Sequence, residues 1–540
     1  MNYTGTGDLL RLALRRDRIQ LPVWIIALAL VLSSTASSVT GLYQNEAERV
    51  SAQQGAAENA VALVFNGLVS GTSEGATAMT QALLLLLVAA ALMSSLAVVR
   101  HTRQNEETGR SELIGSSVVG RHAALTAALS LAVLANVVLA LVSALALIGS
   151  GLPADGSLAA GFAIGAVGIV FAGVAAVTAQ IWQSARAANG GAAAFLGLAF
   201  LLRAVGDAAG SVSENGTRVS SSWPSWLSPI GWGQQIRPYD DNAWWVLVLP
   251  LVAFAVFVAA AFALTKVRDV GMGLRPVRPG PPRAAPSLLS PFGLAWRLQR
   301  GALLGWAVGI AIMGFSFGAV GDEINDLVGE SERTAEVIEQ LGGAGSLVDS
   351  YLSATAGLLG LAIAAYAVQV LNRMRSEEAM GGLESLLATA VSRFQWLGSQ
   401  LASATVGAVA LTLLAGLSTG LGYGLASGDL GSALLDLTNA ALVRLPAVLV
   451  LAGVAVAAFG MLPRLAVALP WTVFAICLLI SQVGAALELP QSVMDISPFT
   501  HVPQMPSVGF SAGAVLVLLV IAAVLMAGGA VLFRRRNLSI

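Results

Sequence analysis

Apolar stretches of 18 or more residues recur about a dozen times along this chain of 540 residues, and no other feature restricts its fold so severely. A helix rises ~1.5 Å per residue, so each stretch is long enough to cross hydrocarbon roughly 30 Å thick. Backbone amides find no water there, and only helices or closed barrels satisfy them internally. The stretches are rich in Leu, Ala and Val and lack the alternation of a membrane barrel. The expected fold is an all-α polytopic membrane protein. Mean hydropathy of +0.78, with 56% hydrophobic and 11% charged residues, excludes an ordinary soluble chain.

The spans fall at roughly 20–42, 76–99, 122–148, 157–182, 190–208 and 243–265, then 301–320, 352–372, 395–424, 438–462, 465–487 and 513–533. Twelve is even, so both termini share a side. Of the 29 lysines and arginines, only Arg49, Arg218, Arg237 and Arg333 lie in the loops opposite the termini, and Arg203 and Arg444 lie within spans. The positive-inside rule makes the arginine-rich face, with both termini, cytoplasmic. The expected location is the inner (cytoplasmic) membrane. Trp24, Trp182, Trp296 and Trp396 near that face, and Trp223, Trp226, Trp232, Trp244 and Trp245 near the other, suit an aromatic belt. The segment from Arg11 to Arg18 precedes an apolar stretch too long for a signal peptide and reads as an interfacial helix. Cys477 is the single cysteine, which leaves no disulfide framework.

Three landmarks recur in order. Arg103, Glu106, Gly109, Glu112 and Arg121 return 272 positions later as Arg375, Glu378, Gly381, Glu384 and Arg393. Ala13, Arg15, Arg18 and Trp24 match Ala295, Arg297, Arg300 and Trp306 at a spacing of 282, and Ser228-Pro229 matches Ser497-Pro498 at 269. The pattern indicates a duplicated six-span unit. Six spans per unit make the two copies parallel, related by a pseudo-two-fold axis along the membrane normal. The expected parts are a first half at 1–265, a Pro-rich linker at 266–291 and a second half at 292–540. The outer loops 43–75 and 321–351 both read as helical caps. In the second, Ile324, Leu327 and Val328 recur at helical spacing among eight carboxylates between Asp322 and Asp349. The proline-bearing loops before spans six and twelve admit short re-entrant elements.

Chemistry of several kinds is absent. Lys266 is the only lysine and stands in Leu-Thr-Lys-Val, so the chain has no phosphate-binding loop. His101, His122 and His501 are scattered over different loops and offer no metal site. No nucleophile elbow, HExxH or hydrolytic carboxylate pair is present. The chain reads as a non-enzyme without catalytic, cofactor or metal residues. Within spans, Arg203 and Asp207 are spaced i, i+4 and are the intramembrane charge candidates; they read equally as a functional pair or as end groups snorkelling to the surface. Arg444 reads as a snorkelling residue. Gly161, Gly165, Gly168 and Gly173 signal close helix packing.

The charged loop reads as a grip for a cytoplasmic partner. Gly109 and Gly381 break the preceding helix, Glu112 and Glu384 fall in the first turn of a short new one, and Arg121 and Arg393 close the motif. The run EEAMGGLESLLATAVSR at Glu377–Arg393, with its eroded copy at Glu106–Arg121, resembles the coupling segment of ABC-2-type exporter permeases. The fused twelve-span arrangement resembles actinobacterial polyketide-antibiotic (tetronasin-type) permeases. That resemblance implies docking of both charged loops, and of interfacial helices bearing Arg15, Arg18, Arg297 and Arg300, on a homodimer of a separate ATPase that holds ATP and Mg. It also implies outward export of a hydrophobic or amphipathic drug or antibiotic, with lipid and ATPase rather than nucleic acid as partners. Gly115 and Ser116 stand where the second copy has Leu387 and Ala388, which makes for an asymmetric grip. The competing reading is a proton-coupled secondary drug antiporter, which needs a titratable relay near the midplane; Arg203 and Asp207 are the few groups on offer.

Overall fold

The computed structural model describes residues 2–43, 45–116, 118–269, 271–275, 280–321, 346–483 and 490–538. Contacts divide the chain into two units, Met1–Gly280 and Pro281–Ile540, and the division falls inside the Pro-rich segment.

In the first unit, α1 (Thr6–Arg16) leads to α2 (Gln20–Leu42). Two short helices, α3 (Glu46–Glu58) and α4 (Ala60–Phe65), form the helical cap expected at 43–75. Asn45 starts α3 by accepting the amide of Glu48 at 2.9 Å. Next come α5 (Glu74–His101), the loop helices α6 (Arg103–Glu107) and α7 (Arg110–Gly115), then α8 (Ala123–Gly149), α9 (Ala154–Ile181) and α10 (Ala185–Ala208). A hairpin of β1 (Ser211–Val212) and β2 (Val219–Ser220) precedes α11 (Trp223–Trp226), α12 (Pro229–Gln235) and α13 (Val248–Thr265). The core centres on α9, which packs against α5, α8, α10 and α13. Its glycine face makes that possible: a Cβ at Gly161 would lie 2.2 Å from the carbonyl oxygen of Ala140, and one at Gly168 would lie 1.8 Å from Oδ1 of Asn136. Asn136 is fully buried and its amide reaches Ser94 Oγ at 2.8 Å, pinning α8 to α5.

The second unit runs α14 (Pro291–Gly321), α15 (Leu347–Ala379), α16 (Gly382–Leu387), α17 (Arg393–Ser427), α18 (Leu430–Leu442), α19 (Leu445–Met461), α20 (Ala468–Val483), α21 (Gln491–Met494) and α22 (Ala512–Arg535). Among the described residues, eleven helices are long and apolar enough to cross a membrane, which agrees with an all-α polytopic protein. The expected span at 465–487 appears as the shorter α20, and 484–489 lie outside the described residues. So does the cap expected around Ile324, Leu327 and Val328.

Two boundaries differ from the sequence reading for one physical reason. The span expected at 438–462 is split into α18 and α19 at Arg444, because Pro446 lacks the amide to continue the ladder and crowds the carbonyl four residues back. Pro22 does the same between α1 and α2. Its counterpart in the second unit is Leu304, and there α14 is continuous: Arg297 and Arg300 lie exposed on the first turns of a spanning helix, not on a separate interfacial one.

The loop before span six is a built element. Ser228 caps α12, receiving the amide of Gly231 at 3.3 Å and donating to the Ala199 carbonyl at 2.6 Å, and every residue of α12 but Trp232 is buried. In the matching Ser497-Pro498 turn, the Ser497 hydroxyl receives the Phe499 amide at 3.3 Å and meets the Ser481 hydroxyl at 3.2 Å, and no helix starts there.

If the glycine face sets the α8–α9 distance, Gly161→Leu will separate these helices. We expect destabilisation of at least roughly 1–3 kcal/mol, read as a lowered melting temperature of the detergent-solubilised protein. Gly190→Leu, where a Cβ meets nothing within 4 Å, is the unperturbed control.

Candidate functional site

The duplicated charged loop follows α5 in the first unit and α15 in the second. Each preceding helix ends on a glycine in the left-handed region, Gly109 at φ 72° and Gly381 at φ 75°. Nothing lies within 4 Å of a Cβ at either position, so conformation rather than space requires glycine there. The turn starts α7 and α16, whose first turns hold Glu112 and Glu384, both exposed. Apolar side chains stand bare beside them: Leu113 is 77% exposed and Met380 is 78% exposed.

The remaining charges of the motif are tied back to their own unit, although Arg121 stays exposed. Glu106 accepts Nη1 of Arg103 at 2.7 Å, and both its oxygens accept Arg268, at 2.6 and 2.9 Å. Glu378, only 2% exposed, accepts both terminal nitrogens of Arg536 at 2.7 and 2.8 Å and pairs with Arg375 at 3.2 Å. Arg268 lies just past α13, and Arg536 just past α22. In each unit, therefore, the loop's first glutamate, half-buried at Glu106 and buried at Glu378, is clasped by an arginine at the end of that unit's last spanning helix. The bidentate geometry is the strong form of this contact. Arg268 is held in turn by Gln180 at 2.6 Å, and Arg536 lies 4.8 Å from the ring centre of Phe459.

Arg121 and Arg393 complete the same construction. Arg121 donates to the carbonyl of Thr265 at 2.6 Å, and Arg393 donates to those of Phe533 at 3.0 Å and Arg536 at 2.5 Å. The carbonyls of Thr265 and Phe533 lie in the last turn of a helix and lack an intrahelical donor. Arg103, fully buried, serves the carbonyl of Ala179 in the last turn of α9 through Nε at 2.9 Å. Six of the ten motif residues (Arg103, Glu106, Arg121, Arg375, Glu378 and Arg393) thus bind the loop to its own unit. Sequence reading missed Arg268 and Arg536, although their 268-residue spacing at the end of corresponding spans was visible.

The other charge candidates are also internal. Arg203 and Asp207 are buried and 3.3 Å apart. Arg203 donates to the carbonyls of Leu63, at 3.0 Å, and Val64, at the end of α4, while Asp207 accepts the Ser221 hydroxyl at 2.6 Å. The pair bolts the outer cap and hairpin to α10, so it does not snorkel. Nor does Arg444: it is 5% exposed and donates to the carbonyls of Ala440 at 2.5 Å and Ser353 at 2.7 Å, across the break between α18 and α19. At the first interfacial helix, Arg15 and Arg18 are exposed, and buried Asp17 meets Arg100 at 2.9 Å and His101 at 2.6 Å. Burial works to raise the Asp17 carboxyl, but His101 and Arg100 outweigh it and hold it below the usual range.

Comparison with known proteins decides the family. Residues 288–534 match the family model of the C-terminal domain of the multidrug efflux system permease Rv1217c. Over 537 residues the chain is 41% identical to the multidrug efflux system permease protein Rv1217c of Mycobacterium tuberculosis (strain ATCC 25618 / H37Rv), spanning 99% of this chain and 95% of that protein. The chain belongs to this family of efflux-system permeases. It is an ABC-type exporter permease, a multi-pass membrane protein, and the match does not favour a secondary antiporter.

In this permease, removing the arginine of a clasp takes the bidentate partner from a carboxylate that keeps only its pair within the loop, Arg375 for Glu378 and Arg103 for Glu106. Arg536→Ala is expected to cost about 3 kcal/mol, and Arg536→Ala with Glu378→Gln to recover part of that loss. Thermal melts of the four proteins of the cycle, repeated for Arg268 and Glu106, check this; additive losses would show that no clasp operates.

Proposed function

We propose that this chain is the transmembrane subunit of an ATP-driven multidrug exporter, moving hydrophobic or amphipathic compounds outward with force supplied by a separate ATPase. The relative's printed role in multidrug efflux supports the cargo class. One observation supports the coupling: each unit presents an exposed glutamate on a short helix whose root is clasped to the unit's last spanning helix. A push on α7 or α16 from a partner therefore reaches α13 or α22 through the Glu106–Arg268 or Glu378–Arg536 pair, not only through the adjoining helices.

In this reading the charged-loop face and both termini are cytoplasmic, and the chain sits in the inner membrane. Two copies of the ATPase, binding ATP and Mg, dock on α7 and α16, with exposed Leu113 and Met380 as apolar contacts beside Glu112 and Glu384. Closure of the ATPase dimer pushes on the loops and, through the clasps, on the last spanning helix of each unit, which drives cargo outward. The proton-driven alternative lacks support in the buried charges: Arg203 and Asp207 hold the outer cap against α10, and Arg444 is occupied by carbonyls.

Glu112→Arg and Glu384→Arg test the proposal, since both positions are exposed and their replacement spares the clasps. In proteoliposomes containing the ATPase, cargo-stimulated hydrolysis is expected to fall at least roughly tenfold in the double variant, as opposite charge becomes like charge at the docking site. The permease should melt as the parent does. Unchanged hydrolysis, or transport driven by a proton gradient in the lone chain, would overturn the proposal.

A further inference from the structure

The two units share one scaffold beside the charged loop. In the first, a recess of about 540 Å³ lies between α1, the loop and the start of α8; in the second, one of about 240 Å³ lies between the start of α14, the loop and the start of α17. Ala13 and Ala295 occupy matching places, as do Asn105 and Glu377, Ala124 and Trp396, and Ala128 and Gln400. The scaffold is common, but the charge is not.

Arg15, Arg16 and Arg110 line the first recess. Leu298 stands in the second at the place of Arg16 and Gly382 at that of Arg110; Arg297 keeps the place of Arg15 but does not line the recess, and Glu377, which does, is paired with Arg373 at 3.4 Å. In the first recess Asp17 is engaged by Arg100 and His101, and Arg16 donates to Asn105 at 2.7 Å. Arg15 and Arg110 have no ion pair or hydrogen bond among the described residues. Burial, and then Arg110 and Arg100, push the Arg16 guanidinium below its usual value, and Asp17, already engaged by Arg100 and His101, offsets this only in part, so like charges crowd the recess. The rest of the lining is partly apolar: Leu9 and the exposed Leu12 from α1 face the exposed Ala124 of α8, with Ala127 and Ala128 buried behind them.

Clustered guanidinium groups on the interfacial helix α1 and the loop helix α7, beside the start of the spanning helix α8, complement one ligand class. We propose that this recess binds an anionic phospholipid of the leaflet on the coupling-loop side, with the phosphate on Arg15, Arg16 and Arg110 and an acyl chain against the exposed Leu12 of α1 and Ala124 of α8. The pseudo-equivalent recess, smaller and acid-bearing, does not bind it. The first unit is thereby a lipid-anchored half and the second is not. Arg110 starts α7, the helix proposed to meet the ATPase, but the inference does not require that docking, because lipid retention is read on the permease alone.

The test is lipid retention. Full-length permease, stripped in detergent, is offered phosphatidylglycerol and phosphatidylcholine with the same acyl chains, and bound lipid is counted by native mass spectrometry. Retention of phosphatidylglycerol is expected to exceed that of phosphatidylcholine roughly tenfold, an advantage lost in Arg15→Gln/Arg110→Gln and kept in Arg15→Lys/Arg110→Lys. Arg11→Gln/Arg18→Gln removes equal charge from the neighbouring segment outside the recess and should retain the preference. Equal retention of the two lipids, equal loss in the Arg11/Arg18 variant, or displacement by millimolar inorganic phosphate alone would overturn the proposal. So would displacement of the lipid when the ATPase binds, which would make the occupant a protein. Melting of each variant separates lost binding from lost folding, and the lysine variant keeps the comparison decisive if the glutamine variant unfolds.

Discussion

Every helix leaves its last carbonyls without an intrahelical donor, and in a chain this apolar few other donors are at hand. Arginine meets that demand throughout the described structure. Arg103 serves α9, Arg121 serves α13, Arg393 serves α22, Arg203 serves α4 and Arg444 serves α18. The guanidinium suits the role because it stays charged, carries several donors in a fixed fork, and favours the negative end of the helix dipole. Glu106 and Glu378 complete the arrangement by occupying the further donors of Arg103, Arg268, Arg375 and Arg536.

From this constraint follows the division of labour in the charged loop. A loop meant only to anchor topology needs scattered arginines. A loop meant to transmit force needs one part held and another presented. In both units the acid on the near side of the glycine turn (Glu106 or Glu378) is held, and the acid beyond it (Glu112 or Glu384) is presented. The left-handed glycine is the joint, and any residue with a side chain there is strained even though the space around it is open. Buried ion pairs are poor sources of net stability but sensitive to the loss of one member. That suits them to fixing register between a loop and a distant helix rather than to strengthening the fold.

The units also differ where their sequences differ. Pro22 separates α1 from α2, while Leu304 lets α14 run unbroken. Trp396 fills space that Ala124 leaves open, and Glu377 replaces Asn105. A duplicated scaffold has thus acquired one side with an exposed interfacial helix over a basic recess and another with a continuous helix over an acidic one. Asymmetry between halves, visible in the loop residues Gly115 and Leu387, extends to the elements packed around them.

Apolar length and charge placement sufficed to read the all-α membrane architecture, the duplicated loop, its glycine joints and the helical start of Glu112 and Glu384, because each depends on local spacing alone. The splits at Pro22 and Pro446 were also local, and the prolines that cause them stand in the sequence. The partners of Glu106 and Glu378 were beyond local reading: Arg268 and Arg536 lie more than 150 residues away, and only folding back of the last span brings them to the loop. Arg444 was misread as snorkelling, and Arg203 and Asp207 were left undecided, for the same reason, since depth along a helix is legible from sequence but the direction a side chain faces within a bundle is not. Hydropathy determined what this protein is made of; the need to satisfy helix ends in three dimensions decided which of its charges are structure and which are left for a partner.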